Sequence, residues 1–267
     1  MNTNCYTEKE IWFEREGKRI YSICYVPNVG ADCCSIDLSD ARGRFPAIII
    51  CHGFLGSYQD NLNCAQRYAA AGFAVCSFDF CGGTDHAKSD GTTEEMSVET
   101  EKRDLLAVFE GLLKQDFVDP DRVYVWGESM GGYVAAMAAA QLGGGAAGLI
   151  LFYPAFNIRD EARSDFPSYE EITPKERSGL KLGPGFARDI WYTDPFDVIG
   201  DYKGSVLILH GTADDIVPPQ MSVRVRDTYE NARLTYIDGA GHGFFNETGE
   251  YADRLVTEFL KDLQQKA

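Results

Sequence analysis

The sequence is short of histidine and of positive charge, and it has no long apolar run. Four His in 267 residues leave few candidates for a general base or a metal ligand. Lys and Arg number 25 against 41 Asp and Glu, giving a net charge of −16 and a pI of about 4.6. Such a field repels phosphate backbones and anionic membrane surfaces, so neither nucleic acid nor membrane is expected as a partner. No stretch approaches the roughly 20 apolar residues of a spanning helix. Residues 1–16 are polar and charged, where an export signal would need an apolar segment. All eight cysteines fall before residue 82, and none forms the C-x-x-C pairs of a zinc site. Cys51 and Cys76 lie in apolar runs and read as small core residues. Cys33-Cys34 sits in a polar loop. Free thiols in a reducing cytoplasm are the simplest reading. No repeat or low-complexity tract appears, so residues 1–267 read as one domain with a sizeable core.

What is present is an alternation of strand and helix signals. Ile11–Phe13 and Arg19–Val26 read as antiparallel strands joined through Glu16-Gly17-Lys18. Ala47–Cys51 is continuously apolar, as a parallel strand buried on both faces would be. A helix is expected over Asn61–Ala71, stopped by Gly72, then a strand over Phe73–Phe80. After the long polar loop Cys81–Met96, Ser97 can cap a helix whose Leu105, Phe109 and Leu112 share one face. Asp119-Pro120-Asp121 reads as a turn before the strand Arg122–Trp126, and Tyr133–Leu142 as a helix. Strands follow over Gly148–Tyr153, Ser205–Leu209 and Leu234–Ile237, with helices over Pro219–Tyr229 and Gly249–Gln265. The fold class is therefore α/β, an open, mostly parallel sheet with helices on both faces and an antiparallel start. Residues 155–195 break the rhythm and read as an insertion folded over the sheet edge.

Ligands of such sheets bind at the carboxyl ends of the strands, and four of those ends carry a particular set of groups. Gly127-Glu-Ser-Met-Gly131 lies between a strand and a helix. Ser129 is forced outward on that turn, and glycine on either side permits the bend. A serine hydroxyl attacks poorly without a base. His242, in the glycine-rich Gly239–Gly243 loop, is the candidate base. His52 and His210, each followed by glycine at a strand end, read as loop-positioning residues, and His86 as solvent-exposed. An imidazole base needs a carboxylate to fix its tautomer. Asp214, directly after the Gly211 turn, is preferred over Asp215. The order Ser129, Asp214, His242 matches the nucleophile-elbow hydrolases. Backbone N–H groups of Met130 and Phe54 are the candidate oxyanion donors. No metal and no cofactor is called for.

On these residues the chain resembles the α/β-hydrolase superfamily over essentially its whole length. The motifs are His52-Gly-Phe-Leu55, Gly127–Gly131, His210-Gly-Thr-Ala-Asp214 with Val217-Pro218, and Gly241-His-Gly-Phe244. Within it the chain is similar to bacterial cinnamoyl (feruloyl) esterases. The cues are its size, Phe78-Asp-Phe80 opening into a loop that ends Ser89-Asp-Gly91, and some forty inserted residues before the Asp214 strand. The resemblance implies that residues 155–195 form a small cap over the active site. It also implies that an acidic residue and a tyrosine there hold the phenolic end of a hydroxycinnamate ester. Asp160 or Glu161 is in place for the acid. Phe186 stands where the tyrosine is expected, and the compact Gly-His-Gly turn of relatives is missing after Phe80. Phe156, Phe166, Tyr169, Phe186, Trp191 and Tyr192 read as a small cap core, with Phe186 and Trp191 the candidates to line the pocket. The expected activity is serine carboxylester hydrolysis of a small-molecule ester. An acyl-peptidase or thioesterase on the same residues is one alternative, although an oligopeptidase-type peptidase usually carries an N-terminal propeller that this chain lacks. A non-catalytic hydrolase-like binding protein is the other. Monomer and homodimer are both open.

Overall fold

A computed structural model describes residues 5–28 and 38–265; the Cys33-Cys34 pair lies outside them. The first hairpin is longer than the sequence suggests. Strand β1 (Tyr6–Arg15) pairs antiparallel with β2 (Lys18–Pro27). Glu16 and Gly17 turn between them at φ 52° and 79°, the positive values a two-residue hairpin turn requires. Residues Thr7–Glu10 are exposed. Charged residues suit an unpaired sheet edge, and they hide the strand from an apolar-pattern reading.

Strand β3 (Phe45–Cys51) is buried at every residue. Helix α1 (Leu62–Ala70) follows, then β4 (Ala74–Phe78) and α2 (Val98–Leu112), which opens on a capping box of Ser97 and Thr100. Strand β5 (Val118–Glu128) leads into α3 (Ser129–Leu142), and β6 (Gly148–Phe152) comes next. Asp119-Pro120-Asp121, read as a turn, is the irregular start of β5. There the register against β3 shifts between Phe45 and Ala47, and Asp119 ties down the Asp121 N–H and Arg122.

Between β6 and the next sheet strand lie α4 (Ile158–Asp165), a small hairpin of β7 (Lys175–Arg177) and β8 (Leu180–Leu182), and α5 (Gly185–Trp191). The chain then returns to the sheet in β9 (Val206–Gly211), α6 (Pro219–Thr228), β10 (Ala232–Ile237) and α7 (Asn246–Gln264).

The sheet order is β1-β2-β4-β3-β5-β6-β9-β10, and every pair from β4 to β10 is parallel. Side chains of α2, α3 and α6 cover one face; those of α1 and α7 cover the other. This is the α/β-hydrolase architecture. Cys51 and Cys76 are buried core residues, as expected, and Cys24, Cys51, Cys64, Cys76 and Cys81 are free thiols. Cys5 is disulfide-bonded, against the expectation of free thiols throughout. No helix among the described residues is long and apolar enough to cross a membrane.

Candidate active site

The helix after β5 starts at Ser129 itself, four residues earlier than the sequence suggests. Gly131 and Gly132, which look like turn residues, lie inside its first turn. At Gly131, as at Gly127 before it, nothing larger fits. A Cβ on Gly131 would sit 2.2 Å from the His52 carbonyl oxygen, and one on Gly127 would sit 2.3 Å from that of Gly131. The strand, the helix and the β3 loop are thus jammed together at the elbow, and Ser129 takes φ 51° between them. That sparsely populated conformation is sustained by the packing around it. Gly127→Ala is therefore expected to destabilise the fold by more than about 4 kcal/mol, read as a large fall in thermal midpoint. A midpoint within a few degrees of the parent would contradict the tight approach.

Three side chains from three loops meet at the carboxyl edge of the sheet. Ser129 Oγ lies 2.9 Å from His242 Nε2, and His242 Nδ1 lies 2.8 Å from Asp214 Oδ2. The second Asp214 oxygen accepts the N–H groups of Ile216 and Val217, each at 2.9 Å. Burial pushes the Asp214 carboxyl up, but these two N–H donors and His242 outweigh it and hold it below its ordinary value. A charged Asp214 fixes the proton of His242 on Nδ1, which leaves Nε2 free to accept from the Ser129 hydroxyl. Asp215 is exposed and takes no part in this array.

The other histidines have different partners. His52 donates from Nδ1 to the Gly53 carbonyl and accepts the Phe80 N–H at Nε2, which positions the loop after β3. His210 is held between Ser222 and the Val217 carbonyl, behind Asp214. Burial lowers the pKa of both. His86 is exposed beside Asp85.

The β3 loop comes close to the elbow: a Cβ on Gly53 would lie 3.3 Å from that of Ser129. The Phe54 N–H has no acceptor among the described residues. Met130 is in the first turn of α3, whose N–H groups have no intrahelical partner. Both donors are therefore available beside Ser129.

A cavity of about 880 Å³ opens over Ser129 and His242, lined also by Phe54, Asn61, Glu128 and Tyr153. The four candidates from residues 155–195 are not in its wall. Asp160 is exposed. Glu161 binds Asn157 at 2.7 Å and Arg177 at 2.8 Å. Trp191 is buried, with its carbonyl accepting from Arg163. Phe186 comes nearest, its ring 5.6 Å from that of Phe54, and it lines a separate, smaller cavity with Ile158, Phe166 and Leu182. Sequence reasoning missed Asn61, Tyr153 and the flanking Glu128 as cavity residues. The only local signal was the position of Glu128 next to the serine. Among the described residues no three His, Cys, Asp or Glu side chains converge as a metal site needs.

The prolyl oligopeptidase family model matches residues 61–266. Est1E from Butyrivibrio proteoclasticus, solved with ferulic acid bound, superposes with a TM-score of 0.79 at 26% identity, over 96% of this chain and 98% of that one. An uncharacterized peptidase of Bacillus subtilis, YtmA, is 22% identical over 91% of this chain and 94% of its own. An uncharacterized 31.7 kDa protein of Escherichia coli is 36% identical, over 37% of this chain and 34% of its own. The first curated relatives are matched over between a third and just under two thirds of their length.

Proposed function

The chain belongs to the prolyl oligopeptidase family, an α/β-hydrolase of the esterase and peptidase type, and from that premise we propose that it is a serine carboxylester hydrolase. One observation carries the reading. The Ser129, His242 and Asp214 side chains form an unbroken hydrogen-bonded line opening on a cavity. Ser129 Oγ attacks the ester carbonyl while His242 Nε2 takes its proton. Asp214 stabilises the imidazolium through Nδ1–H. The N–H groups of Phe54 and Met130 hold the oxyanion. His242 then gives the proton to the departing alcohol, and water repeats the cycle on the acyl-enzyme. No metal or cofactor takes part.

The substrate class is a small ester with an aromatic acyl group of the hydroxycinnamate kind. Support comes from the likeness to the ferulate-bound Est1E and from Phe54, which lines the cavity over Ser129 with its ring packed against that of Phe186. Residues 155–195 serve as the cap, with Phe186 its contact to the site. A peptidase on the same groups is the second reading, favoured by the family match and by the Bacillus subtilis peptidase.

Two measurements test this. A fluorophosphonate is expected to label Ser129, and a folded protein left unlabelled defeats the nucleophile assignment. Methyl ferulate is expected to exceed methyl butyrate in kcat/KM by about tenfold, the worth of one well-placed aromatic contact of about 1.4 kcal/mol. Faster release of aminoacyl anilides than of either ester favours the peptidase.

A further inference from the structure

Asn61 precedes α1 in the cap position, where an asparagine side chain ordinarily accepts a helix N–H. Here it makes no such bond. Its amide is turned to Glu128 Oε1 at 2.7 Å instead. The other oxygen of Glu128 accepts the Tyr153 hydroxyl, also at 2.7 Å. Tyr153 follows β6 at φ 35°, a region costly for a bulky residue and kept where packing overdetermines it. Its N–H is anchored to the Leu209 carbonyl at 2.7 Å. Its ring lies against His242, centroids 4.7 Å apart, and against Phe244 at 4.9 Å. A cap bond forgone, a left-handed tyrosine and a doubly bound carboxylate thus all converge beside the imidazole, whose plane is tilted 58° to that of the tyrosine ring.

We propose that Tyr153, held by Glu128 and Asn61, is a positioning residue for His242, one that fixes the ring plane and stabilises the imidazolium formed during turnover. The inference rests on the nucleophile reading above. A cation within about 6 Å of an aromatic centroid is attracted to the ring. A carboxylate accepting from the tyrosine hydroxyl enriches that ring in electrons and strengthens the attraction. The line from Glu128 through Tyr153 to His242 also closes a loop, since Glu128 adjoins Ser129. Base and nucleophile are therefore held from two directions, by Asp214 at Nδ1 of the imidazole and by the Tyr153 ring packed against it.

The ionisable groups around His242 are known. Asp214 faces it from the β9 turn with His210 behind. Cys64, Asp60 and Arg67 of the α1 region, Glu128 and, from α7, Glu250 share the cavity wall. All but Glu128 stay unchanged in the variants proposed. The test is the pH dependence of kcat/KM on p-nitrophenyl acetate, with rates expressed per site titrated by fluorophosphonate. In Tyr153→Leu the imidazolium loses the stabilisation that the ring supplies. The acid limb should move down by about 0.5 unit, and kcat per titrated site should fall roughly 30-fold with KM within about twofold. Tyr153→Phe, which keeps the ring, should recover most of that rate. Glu128→Gln should move the limb in the same direction by less. A merely structural role would lower the number of titratable sites and leave the limb in place, and that result overturns the proposal. If Tyr153→Leu does not fold, unmoved limbs and parental rates in both Tyr153→Phe and Glu128→Gln overturn it equally. A parent protein left unlabelled removes the nucleophile reading instead, and this inference with it.

Discussion

Ser129→Ala is expected to lower kcat by roughly 10⁵-fold with KM held within about twofold, because the lost oxygen acts only once a bond begins to form. The hydroxyl bonds His242 and no other described group, so its removal strands no buried donor. Alanine meets the same φ of 51° that serine already tolerates. The thermal midpoint should therefore move by no more than a few degrees. That separation makes the variant decisive, since activity collapses while the fold stays. Fluorophosphonate labelling should vanish with the turnover. What remains should be the weak acceleration due to the Phe54 and Met130 donors and to binding alone. A variant with a tenth of parental activity would show that another group supplies the nucleophile.

Much of this frame is legible in the sequence, for physical reasons. Strands β3, β6 and β9 and the second half of β5 from Val123 to Gly127 are buried on both faces, so their apolar runs announce themselves. Ser129 and Asp214 each follow such a strand, His242 follows the half-exposed edge strand β10, and the topology brings these strand ends to one edge. Strand β1 was legible only in its apolar middle, because its polar edge residues look like loop. The sequence places the start of helix α3 too late, because Gly131 and Gly132 signal a turn locally while the packing around Gly131 demands glycine inside a helix. The Asn61–Glu128–Tyr153 chain could not be read at all. Its members are 67 and 25 residues apart, and each has an ordinary local role, as cap, motif filler or strand end. Only the sheet order puts them side by side. The segment after β6 is opaque for another reason. Its elements are too short for a period, so nothing in the pattern shows that Glu161 is committed to Arg177.

Asp214→Asn should be nearly as damaging as loss of the serine, through the wrong tautomer. The asparagine oxygen can still accept the Ile216 and Val217 N–H groups that now bind Oδ1. Its NH₂ must then face His242 Nδ1, where only a donor now sits. The imidazole is driven to carry its proton on Nε2, and that nitrogen no longer accepts from Ser129. A fall in kcat of about 10⁴-fold is expected, as for a triad with its carboxylate neutralised. The residual rate should climb as pH is raised, because hydroxide can deprotonate the serine without the base. Stability gives an independent check with a definite sign. The Asp214 pKa is depressed in the folded protein. The charged carboxylate therefore stabilises the fold above its ordinary value of 3.8, and that contribution is lost as pH falls through the lower folded value. Parent and Asp214→Asn should differ in thermal midpoint at pH 7 and converge in strong acid. A gap that persists unchanged at low pH would mean that Asp214 acts through packing and not through its charge.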